Sequence, residues 1–343
     1  MRTSARPIRA LVMALLLGIA LVGVGMLALM LGVTPIPAAD VWSILLTGEG
    51  ERVPTLVIQT LRLPRFILGM LAGAALGLVG ALLQSALDNP LAEPGLLGVS
   101  SGASLVVAIV IVFDLSLPFG MLPALALAGG LAAGLLILLA TRLTRDPVRT
   151  ILIGAAISAL LSAMITCVVV LGEPNEIQVL YSFLIGSLTG RDWDAVRMVL
   201  PWLALGIPAS LLFARALNLL QLGDELAEGL GLPVFRTRTI LLILSSAMMA
   251  AVVSACGPIS FIALIAPHIV RRILRTSDAR PVLPLSAMLG ALLLTAADLL
   301  AREIFSPAEL PVGLITVVMG APLALVLLRR TLTARQATEE GAS

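Results

Sequence analysis

The chain has 343 residues, of which 59% are hydrophobic and 12% charged, with a formal charge of +2. A water-soluble domain holds roughly 45–50% apolar and about 25% charged residues, so water is not the main solvent of this chain. All 22 basic residues are arginine, and a chain without lysine has neither a Walker A loop nor Schiff-base chemistry, so it is not itself a P-loop ATPase.

In chain order, Arg2, Arg6 and Arg9 precede the apolar segment Ala10–Gly32, which is too long for a signal-peptide core and reads as an uncleaved first crossing. Further crossings are expected at 65–86, 95–113, 119–141, 149–171, 194–214, 238–256, 259–274, 282–301 and 310–328, ten in all. Phe66–Leu87, Leu115–Thr141, Thr150–Gly172 and Met198–Ala214 carry no charge, and none alternates apolar with polar residues as barrel strands do. The uncharged run 239–270 would make a single helix of about 48 Å, longer than the hydrocarbon is thick, so a break is expected at Gly257-Pro258.

Ten crossings place sixteen arginines on the side of both termini and six (52, 62, 65, 191, 197, 302) on the other, which makes both termini cytoplasmic. The expected fold is all-α, one transmembrane domain over residues 1–343. Gly69, Gly73 and Gly77, like Gly130 and Gly134, recur every fourth residue; such small faces serve close packing within the molecule or, less favoured, a dimer interface.

Candidate chemistry is sparse. Gly98-Val99-Ser100-Ser101-Gly102 matches the G-x-S-x-G elbow of serine hydrolases, yet it opens an apolar helix, and the sole histidine, His268, lies far away in sequence. His268 has no second histidine or cysteine nearby to complete a zinc site, and no H-E-x-x-H is present. Cys167 and Cys256 read as small buried hydrophobes. Asp298 stands near the outer end of the ninth crossing with Arg302 four residues on, a spacing that suits a helical ion pair more than a proton relay. The crossings otherwise lack the row of carboxylates expected of an ion-coupled carrier.

Three stretches carry a resemblance. The first is Leu61-Arg-Leu-Pro-Arg65 through Gly73, Gly80, Gln84 and Asn89-Pro-Leu-Ala92 to Leu97-Gly-Val-Ser100. The second is Gly223-Asp-Glu-Leu-Ala227 with Leu230-Gly231; the third runs from Gly257-Pro-Ile-Ser-Phe261 through Pro267-His268, Arg271, Asp298, Arg302 and Glu309-Leu-Pro311 to Gly320-Ala-Pro322. Together they resemble the FecCD family, the permease subunits of ABC importers for iron-siderophores, haem and cobalamin. Glu93 stands where that family usually has aspartate, Ala263 where it has glycine and Tyr181 where it often has tryptophan.

The resemblance implies a type II ABC importer permease fold in the bacterial inner (plasma) membrane and a partner permease subunit, identical or related. It further implies two cytosolic ATPase subunits, an extracytoplasmic substrate-binding protein and no nucleic acid. It implies no cofactor on this chain, ATP and Mg residing on the ATPase. The cargo it favours is a ferric siderophore, with haem or cobalamin as the alternative. A coupling loop over about 215–237 would seat the ATPase through Asp224, Glu225, Ala227, Glu228, Gly229, Gly231 and Leu232. Arg62, Arg65 and Arg302 match arginines that dock the binding protein, although anchoring of helix ends or local pairing competes with that role. The fifth crossing resembles the helix that lines the pathway, with Val148, Arg149, Thr150 and Ile151 near the inner gate, and Tyr181–Trp193 resembles a short external helix.

Overall fold

The computed structural model describes residues 5–48, 50–115, 117, 121–141, 147–322 and 324–325, and contains no strand among them. In chain order the helices are α1 (Ala5–Met30), α2 (Ala38–Thr47), α3 (Arg52–Leu56), α4 (Leu63–Ala86), α5 (Val99–Val112), α6 (Met121–Thr141), α7 (Pro147–Val170) and α8 (Pro174–Ile185). They continue as α9 (Trp193–Leu212), α10 (Ala214–Leu220), α11 (Asp224–Gly229), α12 (Val234–Cys256), α13 (Ile262–Leu274), α14 (Ala279–Glu303) and α15 (Val312–Pro322). A π-helical turn, Val57–Arg62, joins α3 to α4 without interruption.

Seven helices among the described residues are long and apolar enough to cross a membrane: α1, the continuous Arg52–Ala86 helix, α6, α7, α9, α12 and α14. The shorter α5, α13 and α15 occupy the other three expected positions. Local chemistry explains why two of them are short. Pro94–Leu97 forms a 3₁₀ turn and Gly98 takes a left-handed conformation at φ 62°, so α5 begins only at Val99. The run 239–270 breaks at Gly257, φ 71°, whose missing side chain lets the backbone lie against the Phe183 carbonyl. The chain then stays extended until Phe261, and α13 starts at Ile262.

The external helix lies earlier than expected, at Pro174–Ile185 rather than Tyr181–Trp193. Glu173 and Glu176 form a capping box at its start, Pro174 occupies its first turn, and Gly186 at φ 84° ends it.

Helices α4, α12 and α14 are enclosed, whereas α1, α6, α7 and α9 leave most of their apolar surface uncovered by the rest of the subunit. Between apolar helices in lipid the hydrophobic effect is spent, so close backbone approach must hold them together. Gly73 of α4 lies against the backbone of Gly290 on α14, Gly77 against the Ser286 carbonyl, and Gly80 against Ala263 of α13. On α6, Gly130 and Gly134 face Ala250 and Ser246 of α12. These small faces therefore pack inside the subunit.

A Gly77→Leu substitution drives its side chain into the α14 backbone, and at least about 1–3 kcal/mol of destabilisation is expected. Gly18→Ala on α1, where a Cβ meets nothing within 4 Å, should leave stability unchanged or raise it. Thermal unfolding of the two purified variants in the same detergent compares them directly.

Candidate functional site

At one end of the helices, expected from the arginine distribution to be the outer one, the N-terminal turn of α4 meets the C-terminal turn of α14 and the 304–311 loop. Arg65 Nε donates to both oxygens of Asp298 at 3.2 and 3.0 Å, and Nη2 donates to Oδ1 at 2.8 Å. Its Nη1 donates to Glu309 Oε2 at 2.8 Å, where the Thr189 hydroxyl also donates at 3.0 Å. One guanidinium thus ties α4 to α14 and to the 304–311 loop, and Glu309 carries the link on to Thr189. The expected helical pair is secondary: Arg302 Nε stands 3.9 Å from Asp298 Oδ2, beyond hydrogen-bond reach. Helix packing, which sequence spacing does not reveal, presents Arg65 to the carboxylate face-on, and a planar fork fits a carboxylate better than a side-on approach from the same helix.

Arg62 and Arg302 turn instead to the end of α1. Arg62 donates to the carbonyls of Leu29, Met30 and Thr34 at 2.7, 3.1 and 2.6 Å, and Arg302 to that of Ala28 at 3.1 Å. Carbonyls of a last helical turn have no partner within the helix, so cations satisfy them and oppose the helix dipole. Each of these two arginines is only 7% exposed, so local anchoring accounts for most of their polar surface. All three guanidiniums nevertheless border one cavity of about 200 Å³, with Gly32, Ser306 and Glu309 among its other walls. Arg302 Nε has no hydrogen-bond partner among the described residues.

Burial pushes the Glu309 carboxyl up, but the hydrogen bond and charge of Arg65, helped by Thr189, outweigh it and hold the group below the usual carboxylate range.

At the opposite end, all seven expected coupling residues fall in one compact segment. Asp224, Glu225, Ala227, Glu228 and Gly229 form α11; Gly231 turns the chain at φ 85°, and Leu232 N–H donates back to the Ala227 carbonyl at 3.0 Å. Ala227 is buried, whereas Glu225 and Glu228 are exposed. Two features escaped the sequence reading. Leu222, Leu226 and Leu230 are exposed at 52, 62 and 64%, four residues apart and flanked by carboxylates. Arg238 of α12 donates to both Asp224 oxygens at 2.6 and 2.7 Å and, through Nε, to the Ala86 carbonyl at 2.8 Å, which fastens α11 to the end of α4.

The gate positions Val148, Arg149, Thr150 and Ile151 form the start of α7. Arg149 is exposed; the side chains of Val148, Thr150 and Ile151 lie outside the described residues. Further along α7, Ser158, Ser162 and Thr166 recur every fourth residue, with Ser162 Oγ 3.5 Å from Ser101 Oγ and Ser158 bonded to the Gly95 carbonyl. Ser101 thus meets a hydroxyl and not a base, as its reading against a hydrolase requires.

The FecCD transport family model matches residues 16–330 of this sequence. The chain belongs to the FecCD transport family. It is 44% identical over 313 residues to the Fe(3+) dicitrate transport system permease protein FecD of Escherichia coli strain K12, covering 91% of this chain and 96% of that protein. It is 41% identical over 292 residues to the iron(3+)-hydroxamate import system permease protein FhuG of Bacillus subtilis strain 168, covering 82% and 86%. A solved metal-chelate type ABC transporter in an inward-facing conformation superimposes with a TM-score of 0.82 at 27% identity, covering 92% of this chain and 97% of that one. The family makes this a multi-pass ABC permease and not an enzyme, working with an ATPase on a separate chain and a substrate-binding partner.

Asp298→Ala leaves the Arg65 charge buried without its main partner and should cost about 3–5 kcal/mol, read from thermal unfolding. Glu309 behaves differently. Because its folded pKa lies below the unfolded value, its contribution is full above about pH 5 and fades as pH falls through the folded value. The stability gap between wild type and Glu309→Gln should therefore be widest near neutrality and close in acid; a gap that widens in acid would contradict the pairing.

Proposed function

We propose that this chain is one of two permease subunits of an ATP-driven importer, and that it moves a ferric chelate of the siderophore or citrate class into the cytoplasm. The relatives named above handle ferric dicitrate and ferric hydroxamates, and a third, 38% identical over 322 residues, is a ferric enterobactin permease of Escherichia coli. That range favours iron chelates over haem or cobalamin. The arginine distribution, with three shorter apolar helices beside the seven long ones, supports a reading of ten crossings with both termini cytoplasmic.

The observation that carries the mechanism is the join between α11 and α4. Leu226 and Leu230 offer apolar contact in a polar, water-facing segment, which suits a protein partner. Two cytosolic ATPases seat on this segment of each subunit. ATP with Mg, held by those ATPases, favours one transporter state through its differential binding energy. Arg238 passes the displacement of α11 to the end of α4, an enclosed helix whose other end carries the Arg65 cluster. The second subunit covers the face of α7, of which only 6% of the membrane-spanning stretch is buried here, and the two subunits enclose the pathway. Val148, Arg149, Thr150 and Ile151 belong to its inner gate.

On the outer face, the cavity bordered by Arg62, Arg65 and Arg302 receives acidic side chains of the binding protein. Its cations are fixed by internal partners, which holds them in place for an approaching negative charge.

Leu226→Glu is expected to lower ATP-driven uptake of ferric dicitrate into proteoliposomes by about tenfold or more without changing thermal stability, because the residue is exposed. Undiminished uptake would remove α11 from the mechanism. Ser306→Glu places a carboxylate on the wall of the arginine cavity and should weaken binding-protein affinity about tenfold, more at low salt than at high; an unchanged affinity would argue against docking there.

A further inference from the structure

Arg271 is a largely enclosed cation that forms no ion pair among the described residues. It stands near the C-terminus of α13, where the packing of α13 on α4 brings its guanidinium to the last turns of α4. Nη1 donates to Gln84 Oε1 at 2.5 Å and Nη2 to Ser85 Oγ at 3.1 Å, with a weaker contact from Nη2 to the Ala81 carbonyl at 3.5 Å. All three acceptors are neutral. Arg65 and Arg238, by contrast, each grip a carboxylate, and Arg62 is matched by three carbonyls within 3.1 Å. The carbonyl end of α4 offsets only part of the Arg271 charge, and a cation so placed has a strong demand for an anion.

The guanidinium borders a polar cavity of about 280 Å³. Its walls come from three turns at the cytoplasmic end: Asp88, Asn89 and Pro90 after α4, Gln221 just before α11, and Ser277 between α13 and α14. Asp88 is exposed and forms no ion pair with Arg271. Gln221 Nε2 donates to the Ser277 carbonyl at 3.2 Å, so the start of the coupling segment forms part of the cavity rim.

We propose that this cavity receives a carboxylate side chain of the ATPase subunit, as a second contact beside α11; the inference rests on the reading of α11 as the coupling segment. A body seated on α11 covers a mouth whose rim includes Gln221. A carboxylate is the anion that fits, because the guanidinium presents donors in a fork and Asp88 on the wall opposes the higher charge of a phosphate. The contact has a mechanical consequence. Arg271 already holds Gln84 and Ser85, the residues next to Ala86, which Arg238 holds for α11. Two anchoring points on the ATPase would then act on the same end of α4 and set the direction in which it is pulled.

The test uses the assembled transporter in proteoliposomes, stripped of its ATPase subunits and titrated with the same purified ATPase. Arg271→Gln removes the charge, and Ser277→Asp supplies the cavity with a carboxylate of its own. Each should raise the Kd about tenfold or more and flatten its salt dependence. A Kd within about twofold of wild type for Ser277→Asp and for a folded Arg271→Gln overturns the proposal. If Arg271→Gln fails to fold, Ser277→Asp decides alone, since its position is exposed. Leu226→Glu separates the two readings: weaker binding there with no effect in either cavity variant sinks this inference and spares the coupling segment, while no effect in any of the three sinks both.

Discussion

Arg65 stands in the first turn of α4, and its guanidinium has to find anionic partners before that helix can be enclosed. Asp298 and Glu309 supply them from α14 and from the loop that follows it, so the ion cluster fixes the outer end of α4 against its main neighbour. Below this point the two helices touch through backbone, at Gly73, Gly77 and Gly290. The two effects need each other. The glycines allow close approach but give little orientation, and the fork gives orientation but would be costly without a well-packed surround. At the inner end the contacts become polar again, through Gln84, Ser85, Ala86 and the arginines Arg238 and Arg271. The middle of α4 is thus held by shape and its ends by hydrogen-bonded charge.

That distribution suits a helix placed between two surfaces that exchange partners. Charged contacts at a rim are directional and respond to an approaching charge, whereas interlocked backbone moves only as a unit. The arginine cavity at one end and the α11 segment at the other are spanned by this one helix, so the two are linked without passing through a loop. The connection shown is spatial continuity; the energetic coupling belongs to the transport cycle proposed above.

Much of this was legible in the sequence, and the reasons are specific. Uninterrupted apolar length revealed the long helices, and the arginine asymmetry together with Gly257-Pro258 revealed the break after α12, because hydrocarbon thickness leaves a 32-residue uncharged run no other solution. Glycines at every fourth position revealed a packing face without naming the helix that meets it. The Asp298–Arg302 ion pair is present, but the stronger partner was missed for a related reason: spacing along one helix points to Arg302, while the better-oriented Arg65 lies 233 residues away in the chain. The external helix was placed too late because the apolar pattern there is weak and the Glu173–Glu176 capping box was not weighed. Leu222, Leu226 and Leu230 could have been found from their four-residue spacing beside Asp224, Glu225 and Glu228, since apolar residues at helical period in a charged segment have no lipid to face.

In the proposed arrangement, with α7 lining the pathway, such a permease does without a strong site of its own. Ser158, Ser162 and Thr166, with Ser101 opposite, put hydroxyl groups on a surface that has little other polarity. Hydroxyls can exchange hydrogen bonds with the periphery of a large chelate of either charge, and each contact is weak enough to be surrendered to the next. A buried carboxylate or arginine at the same place would bind one class of chelate tightly and so slow its release, because passage requires affinity low enough to leave as well as high enough to enter. If α7 lines the pathway as proposed, such a neutral wall leaves discrimination among ferric chelates to the binding protein. In the proposed cycle the direction of transport falls to the ATPase, acting through the end of α4 that Arg238 and Arg271 hold.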